Sequence, residues 1–182
     1  MKRSLKIEKY ISGVILYLFL TMFNHCFANQ DIFETNQMVK DLVIQLNVNR
    51  PSLVIASTPN VAENIIKRQT SVISLINMGD QVLPEFLKQT LNSNSKLEYE
   101  VHLASIYILG ELHSYDAINA IIKDVERNVS IESFFLDFYV IALKKILGES
   151  SEKYYGYQQK DLERLIKKAK RVQANGAGSD HK

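Results

Sequence analysis

Two histidines and the acids beside them are the first residues here whose types and spacing could do chemistry. Glu100-x-His102 and Glu111-x-His113 could suggest a metal site of two carboxylates and two imidazoles. Helix geometry argues against it. Eleven residues return His113 to roughly the azimuth of His102 but about 16 Å further along the axis, too far to share one ion. Residues two apart also leave a helix in different directions, so each Glu and its His diverge. The expectation is no metal, with both histidines on a helix surface or in a loop. Glu98 with Glu100, and Asp124 with Glu126, read as solvated faces and not as acid/base pairs. The chain has no Gly-rich phosphate loop, no Gly-x-Ser-x-Gly and no His-Glu-x-x-His. We therefore expect a protein that is not an enzyme and uses no cofactor.

Tyrosine is the remaining group suited to recognition, because its ring is apolar and its hydroxyl can be left wet. Tyr107 and Tyr139 fall within apolar helical runs and are expected in the core. Tyr154, Tyr155 and Tyr157 cluster around Gly156 in "KYYGYQQK", a stretch between helices with fewer core positions to fill. These three, with Tyr115 and Tyr99, are the candidate partner-binding residues.

The elements that position these residues begin after an N-terminal leader. Lys2, Arg3, Lys6 and Lys9 make a basic start, Tyr10 to Phe23 is an apolar run, and "CFA" ends in the small Ala28. That is the grammar of a bacterial-type secretory signal, with a run too short for a comfortable span of about 20 residues. Cleavage after Ala28 and a periplasmic location are expected, with no stable membrane insertion thereafter. Retention of Cys26 as a lipidated first residue, or of the leader as an anchor, are the alternatives. The leader carries four of the 22 basic and one of the 20 acidic residues, leaving 18 against 19. A net charge of −1 lacks the positive field that phosphate binding requires, so nucleic acid is not expected as a partner. Cys26 is the only cysteine, so the cleaved chain would hold itself together by its core alone.

Beyond the leader the pattern is helical and shows no sustained alternation of period two. Asp31 to Leu46 reads as a first helix, and Asn47 to Asn60, with Pro51 and Pro59, as a connector. Val61, Ile65, Val72 and Ile76 fall on one stripe of a helix that Gly79 stops; Asp80 would cap the next, with Pro84 in its first turn. An internal repeat comes after it. Helices end in "SLINMG", "ASIYILG" and "ALKKILG", at Gly79, Gly110 and Gly148, and the last two share Ala-x-x-x-Ile-Leu-Gly. Each is followed by a shorter helix with paired apolar residues: Val82, Leu83, Phe86, Leu87; then Ala117, Ile118, Ile121, Ile122, Val125; then Leu162, Leu165, Ile166, Ala169. The runs Leu97 to Leu112 and Ile131 to Leu147 are apolar nearly all round and must be covered on both sides, which stacking of pair on pair supplies. The three glycines are expected at the turns within pairs, in left-handed conformation.

At these residues the sequence resembles the HEAT-like, or PBS-lyase-type, repeats of bacterial α-solenoids. In that family a first helix ends in Ala-x-x-x-Leu-Gly and a short turn leads to a second helix beginning Ala-x-x-Ala/Leu-Ile. "VHLASIYILGELHSYDAINAIIKDV" fits along its length, with His102 where the family usually has arginine. The other two units fit loosely, the third inserting "ESSEKYYGYQQK" before its second helix. The resemblance implies an all-α fold, a short α-solenoid of stacked antiparallel helix pairs, and interaction more than catalysis. HEAT-like hydroxylases bind iron through adjacent His-Glu dipeptides, and none occurs here.

The expected organisation is a signal peptide over 1–28, an N-terminal helix and connector over 29–60, a HEAT-like domain over 61–172 and a disordered tail over 173–182. The expected function is a periplasmic protein-interaction module that binds and neutralises or sequesters another protein, in the manner of an immunity protein facing a secreted toxin. An envelope assembly scaffold is the alternative, and a lyase or hydrolase on a HEAT frame the third. Association of copies with one another is compatible with the pattern.

Overall fold

The computed structural model describes residues 31–49, 58–91, 98–127, 133–150 and 156–176. The leader, most of the connector, Tyr154, Tyr155 and the last six residues of the tail lie outside them. The chain divides into two compact units, Met1–Met38 and Val39–Lys182. The described part of the first is the opening of a helix over 31–48, α1, which continues into the second. All the other described helices lie within the second unit.

Every regular element among the described residues is helical, and no strand occurs there. After α1 come α2 (Pro59–Ile66), α3 (Thr70–Asn77), a 3₁₀ turn over Gly79–Val82 and α4 (Leu83–Gln89). Then come α5 (Tyr99–Leu112), α6 (Asp116–Arg127), α7 (Ser133–Ile146) and α8 (Gln159–Gly176). Among the described residues no helix is long and apolar enough to cross a membrane.

The expected single helix from Val61 to Gly79 is two. Its core residues are Ala62 and Ile66, then Val72 and Leu75, while Val61 and Ile73 stay partly in water. Ile66 and Val72 are six residues apart, which an unbroken helix would turn about 120° from one another. The polar Lys67-Arg68-Gln69 resolves the conflict by closing two short turns onto the carbonyls of Ile65 and Ile66. Thr58 caps α2 through its hydroxyl, and Pro59 sits in its first turn, where a missing N–H costs nothing. Asp80 makes no capping hydrogen bond; the 3₁₀ turn leads straight into α4, with Pro84 in its first turn.

The glycines divide by role. Gly79 and Gly148 have φ of +70° and +65° and end their helices. At Gly148 the N–H groups of Gly148 and Glu149 bond back to Lys145 and Lys144, the paired closure of a Schellman turn. Gly110, expected at a turn, lies inside α5, and the left-handed residue after that helix is His113, at φ 55°. Glu111 and Leu112 are good helix formers and carry the helix on. What needs glycine at 110 is space: a Cβ there would stand 2.9 Å from the Ala142 Cα and 3.1 Å from its Cβ. The shared Ala-x-x-x-Ile-Leu-Gly motif thus serves as a stop in α7 and as a seat in α5.

Packing is organised by that seat. Along α5 and α7 the contacts run in the same order, Tyr99 and His102 to Phe135, Gly110 to Ala142, Glu111 to Lys145, so the two helices lie side by side and parallel. α3 packs on the other side of α5, while α4 and α6 form a second layer, tied by the Arg127 guanidinium donating to the Leu91 carbonyl at 2.9 Å. α6 returns antiparallel to α5, since His102 near the start of one meets Asp124 near the end of the other. α2 lies against both α5 and α7, completing the cover that their all-round apolar surface requires. Leu103, Ile106, Ile108, Leu109, Ile118, Ile121, Tyr139 and Leu143 are all fully buried.

The last pair departs from the repeat. Gly156 and Tyr157 N–H groups donate to the carboxylate of Asp137, in the first half of α7, while Arg164 and Lys168 in mid-α8 reach Glu149, beyond its end. The contacts run in the same order along both helices, opposite to that of an antiparallel pair. The insert between Gly148 and α8 is the physical reason: about ten residues can span the roughly 20 Å of α7 and return the chain toward its start before α8 begins.

Gly110→Ala is expected to lower stability by about 1–3 kcal/mol, through overpacking against Ala142, and Gly110→Val by more. His113→Gly, which relieves a left-handed side chain, is expected to raise the melting temperature or leave it unchanged. Thermal unfolding followed by circular dichroism checks both; an unaltered midpoint for Gly110→Val would remove the seat.

Candidate functional site

Three polar clusters stand where the helices meet. In the first, α5, α6 and α7 bring together His102, Asp124 and Tyr139. His102 Nε2 lies 2.6 Å from Asp124 Oδ2, and the Tyr139 hydroxyl donates to the same oxygen at 2.6 Å. Tyr139 is fully buried and Asp124 nearly so. Asp124 therefore does not belong to a solvated face as its sequence neighbourhood suggests; only Glu126 does. His102 likewise is not a free surface histidine, since its ring lies 4.8 Å from that of Phe135, which Tyr99 meets edge-on at 4.9 Å. His113 stays exposed in the turn.

The second cluster joins α2, α5 and α7. Lys145 donates to Glu111, lies 3.5 Å from Glu63 and stands 5.0 Å above the ring of Tyr107. Burial, then the charges of Glu111 and Glu63 and a hydrogen bond to Glu111, push the Tyr107 phenol far above its ordinary value. These groups border a small cleft floored by Gly110 and Ala142, with about 10 Å³ of open volume, room for roughly one water. Lys145 is engaged by two carboxylates and Tyr107 is held protonated. Neither is poised as a nucleophile or base.

The third cluster fastens α8. Arg164 holds Glu149 with two parallel hydrogen bonds, at 3.2 and 2.9 Å, and Lys168 adds a third at 2.7 Å. The Arg164 hydrogen bond, followed by Lys168, lowers the Glu149 carboxyl to about 2. Among the described residues no group of three or more His, Cys, Asp or Glu side chains is placed to hold a metal ion.

The tyrosines divide between packing and surface. Tyr107 is half-buried in the second cluster. Tyr157 packs against the core, its N–H bound to Asp137 and its ring under Lys144 at 5.1 Å, so it anchors the insert and does not extend from it. Tyr99 is 38% exposed and Tyr115 53% exposed, at the two ends of α5. The first two clusters escaped sequence reasoning, because charges 22 to 82 residues apart carry no local spacing signal. For Asp124 one signal existed: it falls four residues after Ala120 and three after Ile121, on the apolar side of α6.

Asp124→Ala takes away the acceptor shared by Tyr139 and His102 and is expected to cost about 2–3 kcal/mol. A double-mutant cycle with Tyr139→Phe should show a coupling of roughly 0.5 kcal/mol or more, and additivity within error would dissolve the cluster.

Because the Glu149 carboxyl is lowered from 4.5 to about 2, its ion pairs contribute fully above about pH 5 and are lost as pH falls toward 2. Arg164 and Lys168 are about half exposed, so screening limits the contribution to about 1 kcal/mol. Denaturation of wild type and Glu149→Gln should differ by that amount at about pH 6 and by only about a quarter of it at about pH 2.5, the gap closing as pH falls through about 2; an equal gap at both would detach the shift from stability.

No family model, no curated protein and no solved structure matches the chain.

Proposed function

We propose that this chain is an exported, HEAT-like protein-binding module, acting by stoichiometric capture of a protein partner and not by turnover. The immunity-type role, sequestering a secreted toxin, is the form of that reading we favour. One observation carries it: the charged groups at the helix junctions are engaged with one another, whereas Tyr115 projects at 53% exposure from the turn between α5 and α6. A protonated phenol, an ion-paired lysine and a cleft the size of a water suit packing. An exposed tyrosine on a turn between two well-packed helices suits recognition, because little ordering entropy is lost when it is covered.

The recognition surface in this reading comprises Tyr115, Tyr99 and the tyrosines Tyr154 and Tyr155 of the insert. Tyr157 leaves the set as a packing residue. The first-helix layer is covered by α2, so binding uses the turns and second-helix surfaces. Export is supported by the basic, apolar and small-residue order of the first 28 residues.

Tyr115→Ala combined with Tyr154→Ala and Tyr155→Ala is expected to keep the far-UV circular dichroism spectrum and to weaken capture of the native partner from periplasmic extract at least tenfold. Capture as strong as wild type would rule out this surface. Turnover of an envelope substrate by purified metal-free protein, abolished by Glu111→Gln, would overturn the non-enzymatic reading.

A further inference from the structure

α8 carries a feature that neither the core nor the tyrosine surface uses. Its 18 residues hold six basic and two acidic side chains, net +4, while Asn29 to Gln158 holds 11 basic and 16 acidic, net −5. Leu162, Leu165 and Ala169 are buried against α7. On the opposite side Lys160, Arg164, Lys167 and Arg171 recur at i, i+4, i+7 and i+11, a single line of cations about 16 Å long.

Helix stability does not explain that line. Like charges four apart destabilise a helix by about a few tenths of a kcal/mol per pair, and a cation in the first turn opposes the macrodipole, which places Lys160 at the wrong end. Capping the stack does not explain it either. An outer face need only be polar, and that of α6, with Asn119, Lys123, Glu126 and Arg127, is mixed in sign. Arg164 and Lys168 are engaged with Glu149, and Lys170 reaches Glu126 at 3.3 Å. Lys160, Lys167 and Arg171 form no ion pair with any described residue.

Beside the line, Glu163, Ile166, Lys167, Lys170, Arg171 and Ala174 form an open, shallow face of α8 itself. Ile166, Ala174 and the methylene stems of the cations make its floor apolar, and the charged heads make its rim. We infer that this face of α8 is the docking surface for an acidic amphipathic helix of a protein partner, its apolar side chains on Ile166 and Ala174 and its carboxylates on the unpaired Lys167 and Arg171. A nucleic-acid backbone has nothing to place on the apolar floor, and any phosphate would meet the carboxylate of Glu163. A protein helix has both kinds of group, and one basic side chain of its own would satisfy Glu163 and set the register. The inference rests on the binding-module reading but uses a surface separate from the tyrosines.

The test is fluorescence anisotropy with the full chain and a labelled synthetic helix of Glu and Leu whose leucines follow i, i+3, i+4 spacing. Binding is expected to weaken about tenfold or more as salt rises from about 0.05 to 0.3 M. It should fall at least tenfold in Lys167→Glu/Arg171→Glu, whose circular dichroism should match wild type. Lys123→Glu on α6 should leave it unchanged. No binding of the peptide, or binding indifferent to the double reversal, would overturn the inference. So would tighter binding, through the same residues, of phosphatidylglycerol vesicles or a DNA duplex. Loss of peptide binding alongside tyrosine-dependent capture of a partner would remove only the α8 face, whereas loss of both would remove the binding-module reading itself.

Discussion

The close approach of α5 and α7 at Gly110 and Ala142 is the contact on which the rest of the structure depends. With no Cβ at 110, the backbone of one helix comes within reach of the other's Cα, and the two helices lie parallel at a separation that larger residues would prevent. The effects extend along their whole length. At one end Phe135 reaches the rings of Tyr99 and His102. In the middle Tyr139 reaches Asp124. At the other end Lys145 reaches Glu111 and, across the cleft, Glu63. Widening the seat would loosen all three together, because a rigid helix cannot yield at one point alone.

The polar residues at these junctions convert a pattern of apolar stripes into one packing arrangement. Burying Asp124 or Glu63 would be costly in isolation, since a polar group removed from water must find partners in the protein. Here each has found them, and among the described residues no buried side-chain nitrogen or oxygen lacks a hydrogen-bond partner. Apolar stripes alone would tolerate a helix sliding by a turn; a carboxylate that must meet a hydroxyl at 2.6 Å would not.

What the packing leaves in solvent is distributed unevenly. Tyr115 stands on the turn between α5 and α6, Tyr99 at the start of α5, and the cations of α8 along the outside of the last helix. Leu162, Leu165 and Ala169 turn the apolar side of α8 toward α7, which leaves the side with the cations outermost. Glu149 holds it there through Arg164 and Lys168, so the same helix is fastened by some of its cations and displays the others.

Periodicity and punctuation in the sequence determined the all-helical class, a first helix over 31–46 that the structure extends by two residues, the paired apolar positions of α4, α6 and α8, and the left-handed glycines at 79 and 148. These are local properties, set by which side chains share a helix face and which backbone angles a residue can adopt. The tertiary structure alone decided the rest. It broke the 61–79 segment in two, because the core selected Ala62, Ile66, Val72 and Leu75 instead of the stripe through Val61 and Ile65. It made Gly110 a seat and His113 the turn, because a glycine's tolerance of close approach and its tolerance of positive φ look alike in sequence. It turned Asp124 inward and set Lys145 between Glu63 and Glu111, because residues 22 to 82 positions apart meet only when the layers are assembled. And it ran α8 alongside α7 in the same direction, since the length of an insert limits how far a chain can travel but not which way it returns.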